Sequence, residues 1–129
     1  MTPTRSKNSI PAGDDASQAL QRRAVYQLKA EFFRVLGHPV RVRILELLKD
    51  GERTVGDLQR LLQLDSSGTS QHLGALRKQR VLDSRRVGTS VYYSVRDPRM
   101  FALLDLARGM LNTTLTESQA ILGELEQSH

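Results

Sequence analysis

Leu64-Asp65-Ser66-Ser67-Gly68-Thr69-Ser70-Gln71-His72-Leu73-Gly74-Ala75-Leu76-Arg77 is the stretch whose chemistry decides the fold class. Ser66, Ser67, Thr69, Ser70, Gln71 and His72 all donate or accept hydrogen bonds, and none is long enough to cover a core. Leu73 and Leu76 stand three apart and anchor the same segment, which predicts an amphipathic helix over 66–79 with its polar face turned outward. Soon after comes Ser84-Arg85-Arg86-Val87-Gly88-Thr89-Ser90-Val91-Tyr92-Tyr93-Ser94-Val95, whose alternation around a central Gly predicts two strands, 81–87 and 90–95. A polar-faced helix followed by a basic hairpin, here a wing over 82–95, is the sequence form of a winged helix-turn-helix, a reader of duplex DNA.

The flanking sequence supplies the rest of such a domain. Leu20, Ala24, Leu28, Phe32 and Val35 recur at spacings of three and four and predict a helix over 17–36. Gly37-His38-Pro39 stops it, and Pro39 suits the first turn of a second helix over 39–49, with Val42, Ile44, Leu45, Leu47 and Leu48 turned inward. Asp50-Gly51-Glu52 is a turn, and Thr54 an N-cap for a third helix over 55–63, helped by Asp57 and anchored by Leu58, Leu61 and Leu62. Gln63-Leu64-Asp65 turns the chain into the reader helix, capped by Asp65 or Ser66, with Asp65 preferred. Asp97-Pro98 opens a last helical region over 99–127, which Asn112-Thr113-Thr114 is expected to break or bend. Residues 1–16 lack apolar periodicity and read as a flexible arm. The fold class is therefore mainly α with a small β-hairpin, one winged helix-turn-helix domain over 17–127.

The helices over 17–36 and 99–127 exceed the needs of a small trihelical core. Their apolar stripes predict a homodimer, with Leu20, Leu28, Phe32, Phe101, Leu104, Met110, Leu111 and Leu115 at the interface. Charge points to a polyanionic partner: the net formal charge is +5 and the sequence pI about 10.1. It is also concentrated. Between residues 66 and 99 stand Arg77, Lys78, Arg80, Arg85, Arg86, Arg96 and Arg99 against only Asp83 and Asp97, whereas beyond residue 99 Arg108 faces Asp105, Glu117, Glu124 and Glu126. Absence of cysteine excludes disulfides, thiolate metal sites and thiol redox switches. With no apolar run long enough to cross a bilayer and no signal-peptide pattern, a cytoplasmic protein without a membrane partner is expected. No nucleophile–base pair, paired carboxylates or glycine-rich phosphate loop occurs at useful spacing, so an enzyme is not expected.

Three segments carry a family resemblance, covering about residues 25–110. Leu36-Gly37-His38-Pro39-Val40-Arg41-Val42-Arg43-Ile44-Leu45-Glu46-Leu47-Leu48 resembles the opening of ArsR/SmtB transcriptional repressors. Ser70-Gln71-His72-Leu73-Gly74-Ala75-Leu76-Arg77 is similar to their reader helix, and Ser84 to Tyr93 to their wing. The resemblance implies a homodimeric winged helix-turn-helix protein that binds operator DNA and represses nearby genes until an effector releases it. Departures leave the effector undefined. Where metal-sensing members carry Cys-Val-Cys, this chain has Thr54, Val55 and Gly56. Where others place histidine on the last long helix, it has Asp105, Glu117, Glu124 and Glu126, with only His129 near the end. Neither metal nor cofactor is expected. Arg80 stands where the family usually has Gly, a strained choice if the position is left-handed.

On this reading Ser67, Thr69, Ser70, Gln71 and His72 face base edges or nearby phosphates of an inverted-repeat operator. Gln71 has the geometry for a bidentate pair with adenine, while His72 has a rival role as a hydrogen-bonding partner within the helix pair. Arg77, Lys78, Arg85, Arg86 and Thr89 are the remaining candidate DNA contacts. Arg85 and Arg86 must face opposite ways along their strand, so one of them is free to pair with an acid instead. Arg41 and Arg43 read as surface or salt-bridging residues, or one as a phosphate contact. Gly68 and Gly74 cost helix propensity, which close approach of DNA at Gly68 and of a packed neighbour at Gly74 would rationalise. The alternative function is a winged-helix protein-docking module that does not bind DNA.

Overall fold

The computed structural model describes the backbone of residues 12–127 and the side chains of residues 15–127. Its elements are α1 (Ala12–Leu36), α2 (Pro39–Leu47), β1 (Arg53–Thr54), α3 (Val55–Leu62), α4 (Ser66–Lys78), β2 (Leu82–Val87), β3 (Ser90–Val95) and α5 (Arg99–Gln127). The expected arm lies largely outside the described residues, but its last five residues are the first of α1, which starts at Ala12.

Caps fix the helix starts. Pro39 opens α2, and the His38 imidazole caps it by accepting the Val40 N–H at Nδ1, 3.1 Å away. Thr54 and Asp57 form a reciprocal capping box on α3. Asp65 caps α4, accepting the Gly68 N–H at 2.8 Å. That cap gives Gly68 a reason within the chain: a Cβ there would sit 2.6 Å from Asp65 Oδ1, so glycine leaves the cap undisturbed. At Gly74 no neighbour lies within 4 Å of a Cβ position, so the packed neighbour expected there is not found among the described residues.

Ile44, Leu45 and Leu48 from the second helical segment, Leu58 from α3, and Leu73 and Leu76 from α4 form the core, closed by Val35, Val81, Leu82 and Met100. Leu45, Leu58, Leu73 and Leu76 are at most 1% exposed, so the helix-turn-helix is the best-buried part of the chain. Short β1 was not anticipated. It pairs antiparallel with β3, Arg53 opposite Tyr93, giving the sheet order β1-β3-β2. Val87 pairs with Ser90, leaving a two-residue turn in which Gly88 takes φ +62°. The expected break in the last helix is absent: α5 is continuous over 29 residues. Thr113, Thr114 and Thr116 donate their hydroxyls to the carbonyls of Gly109, Met110 and Asn112, which keeps these polar residues inside the helical pattern.

Arg80 is left-handed, with φ 59°. Its N–H donates to Arg77 O and the Val81 N–H to Leu76 O, both at 2.9 Å, which is a complete Schellman ending for α4. Replacing Arg80→Gly removes the Cβ clash and is expected to raise stability by about 1 kcal/mol. Thermal unfolding at one fixed protein concentration should show a rise of about 4 °C; a lowered midpoint would mean that the Arg80 side chain stabilises more than its backbone strain costs.

Candidate nucleic-acid interface

Helix α4 stands with Leu73 and Leu76 in the core and Ser66, Ser67, Ser70 and Gln71 exposed. Thr69 departs from expectation. It is fully buried, and its hydroxyl donates to Asp65 O at 2.9 Å, so it stitches the helix start and has no surface to offer DNA. Ser67 leans on the cap, its Oγ 3.5 Å from Asp65 Oδ2, yet remains exposed. Arg77 and Lys78 are exposed in the last turn of α4, where cations also complement the helix dipole.

His72 is half-buried between two helices. Arg41 donates from Nε to His72 Nδ1 at 3.2 Å, and the His38 ring centroid lies 4.3 Å from that of His72. Burial, with His38 and the Arg41 guanidinium beside it, holds the His72 pKa below the ordinary histidine value. The rival role of His72, bonding within the helix pair, is thus realised.

The wing separates its two arginines. Arg85 lies over the Tyr92 ring, 5.2 Å from its centroid, and makes a two-pronged ion pair with Glu52, Nε to Oε2 being 2.8 Å. Hydrogen bonding from Arg85, reinforced by its charge, holds the Glu52 carboxyl below the usual range. Arg86 is exposed and makes no ion pair among the described residues. Thr89 is exposed at the tip. Sequence reasoning anticipated that one wing arginine would pair with an acid but did not identify Glu52. The signal, an acid in the turn before Thr54, becomes meaningful only once β1 is known to lie in the same sheet.

The residues expected at a dimer interface differ in exposure. Leu20, Leu28, Met110, Leu111 and Leu115 are each about 60% exposed, whereas Phe32, Phe101 and Leu104 are half-buried. Phe32 and Leu104 pack on the core of their own chain, so the eight expected interface residues divide between two environments. Exposed Tyr26, Phe33, Leu106, Ile121 and Leu122 enlarge the apolar surface beyond those named from sequence. A groove of about 820 Å³ runs between α1, α2 and α5, floored by Leu36, Val42, Phe101 and Leu104. Among the described residues no helix is long and apolar enough to cross a membrane, and no three His, Asp or Glu side chains are gathered as a metal site. His129 lies outside the described residues.

Comparison with known proteins places these features in context. The family model described as bacterial regulatory protein, arsR family, matches residues 38–84, which span α2 to the start of the wing. The Mycobacterium tuberculosis HTH-type transcriptional regulator Rv0081 is 43% identical over 107 residues, 82% of this chain and 94% of its own length. Its crystal structure superposes with a TM-score of 0.69, covering 73% of this chain and 95% of that one at 45% identity. The Bacillus subtilis transcriptional repressor SdpR is 34% identical over 80 residues, 62% of this chain and 86% of the repressor. The homodimeric winged helix-turn-helix DNA-binding domain of Mb0332 from Mycobacterium bovis superposes with a TM-score of 0.69 at 26% identity, covering 75% of this chain and 90% of that domain.

Proposed function

The chain belongs to the arsR family of bacterial regulatory proteins, transcriptional regulators with a winged-helix DNA-binding fold, and from that premise we propose a homodimeric repressor of an inverted-repeat operator. Each α4 enters a major groove, where Ser67, Ser70 and Gln71 meet base edges and nearby phosphates. Gln71 reads adenine. Arg77, Lys78, Arg86 and Thr89 hold the phosphate backbone and set the register. Thr69 leaves the contact set because it is buried, and Arg85 becomes a brace that stiffens the wing through Glu52 and Tyr92. Dimerisation runs through the exposed apolar stripes of α1 and α5, and the homodimeric state of the similar domain Mb0332 supports pairing as such.

One observation carries this reading. The exposed side of α4 is small and polar, while exposed cations that make no ion pair among the described residues flank it at the helix end and on the wing, the charge layout of a groove reader. Recovering bound fragments from genomic DNA should yield half-sites about one helical turn apart. On that operator Arg86→Ala is expected to flatten the slope of log affinity against log salt by about 2, roughly one phosphate contact per protomer. Arg85→Ala should change the slope less, because its charge is already neutralised by Glu52. An unchanged slope for Arg86→Ala excludes the wing contact.

A further inference from the structure

Arg41 is assigned no DNA contact in the proposed complex, yet it ties three helices together. Its Nη1 donates to Val35 O on α1 at 3.4 Å, and its Nε donates to His72 Nδ1 on α4 at 3.2 Å. A guanidinium has only donors, so the imidazole nitrogen it meets must be unprotonated. His72 then carries its proton on Nε2. We propose that Arg41 is a positioning residue for DNA recognition: it locks His72 in the Nε2–H tautomer, so that α4 offers that imidazole to DNA purely as a hydrogen-bond donor. Such a donor matches a phosphate oxygen or a purine N7 and rejects the amino group of cytosine. The proposal rests on the reading of α4 as the DNA reader.

The surroundings of His72 fix the sign of its pH response. His38, which caps the start of α2, lies against its ring at an interplanar angle of 50° and is itself engaged at Nδ1 with the Val40 N–H. Glu31 and Arg34 of α1 and Lys78 of α4 line the hollow around Arg41. Protonating His72 would put an N–H against the Arg41 N–H and a second cation beside the guanidinium, breaking the tie. An added positive charge near DNA ordinarily tightens binding as pH falls. Here acid is expected to loosen it, because the donor loses its orientation.

The test follows operator binding of the full-length protein by fluorescence anisotropy at constant ionic strength, from pH 7.5 to pH 5.5. Wild-type affinity should fall by about tenfold, about threefold for each of the two His72 side chains of the proposed dimer. His72→Gln, which cannot titrate, should give a flat profile whatever its absolute affinity. Arg41→Gln should bind at pH 7.5 as weakly as the wild type does in acid, with Arg41→Lys, which keeps a donor, recovering part of the loss. Equal weakening on operator and random DNA marks a phosphate acceptor; weakening on the operator alone marks a base. Wild-type binding that tightens in acid, or a His72→Gln profile that follows the wild type, overturns the proposal. Imidazole nitrogen NMR of DNA-free protein separates it from the DNA reading: a mixed His72 tautomer refutes the lock itself. A locked tautomer in a protein that ignores all DNA overturns the function, and with it the role given to Arg41.

Discussion

Replacing Leu111→Glu and Leu115→Glu together is expected to give a folded monomer that has lost at least about a hundredfold in operator affinity. Both side chains are about 60% exposed in the single chain, and both lie along the groove between α1, α2 and α5. Burying a leucine stabilises by about 1.5–3 kcal/mol. Each is already about 40% covered in the single chain and the two positions occur twice in a symmetric pair, so about 4–7 kcal/mol of gross burial is at stake. That is about half or more of the binding free energy of a micromolar to nanomolar dimer, about 8–12 kcal/mol. Glutamates add desolvation cost and like-charge repulsion across the two-fold axis. Neither leucine belongs to the buried core, so the helix-turn-helix should survive. Affinity falls because two linked readers raise each other's effective concentration by about a hundredfold or more, and a monomer has no such partner. Sedimentation velocity and anisotropy on the same samples check both halves. A double variant that remains dimeric removes α5 from the interface.

The second large effect is on stability. Leu76→Ala should cost about 2–5 kcal/mol, because Leu76 is completely buried and its loss opens a cavity beneath the reader helix. Total stability for a domain of this size is only about 5–15 kcal/mol, so the variant should sit near the edge of folding at physiological temperature. Leu76→Met, similar in volume, should cost less than about 1.5 kcal/mol. Urea denaturation at fixed protein concentration distinguishes them. A loss below about 1 kcal/mol for the alanine variant would contradict the packing of α4 on the core.

Much of this architecture was legible from local chemistry. Apolar spacing located the five helices of the described residues, Thr54 and Asp65 marked two caps, and alternation around Gly88 marked the wing. Even the left-handed Arg80 was foreshadowed by the glycine that usually stands there. What escaped depends on partners far along the chain. Arg85 meets Glu52 across 33 positions and Arg41 meets His72 across 31, and no periodicity encodes such pairs. Thr69 was misread because its hydroxyl type suits a groove, while its burial is set by a helix rotation that only the packed structure supplies. The threonines of α5 suggested a break because β-branched hydroxyl residues disfavour helices in isolation; bonding to the preceding turn overrode that preference.

The unbroken run of α5 has a mechanical corollary. At 1.5 Å per residue its 29 residues make a strut of about 43 Å, rooted at Met100 in the core. With no hinge to absorb it, a tilt of about 5° at the root sweeps the far end by about 4 Å. When two such struts lie against each other, their crossing angle dictates how far apart the paired probes are held. Bulk at Met100 or Leu103, at the root of such a strut, is therefore expected to change the spacing of half-sites that a dimer accepts.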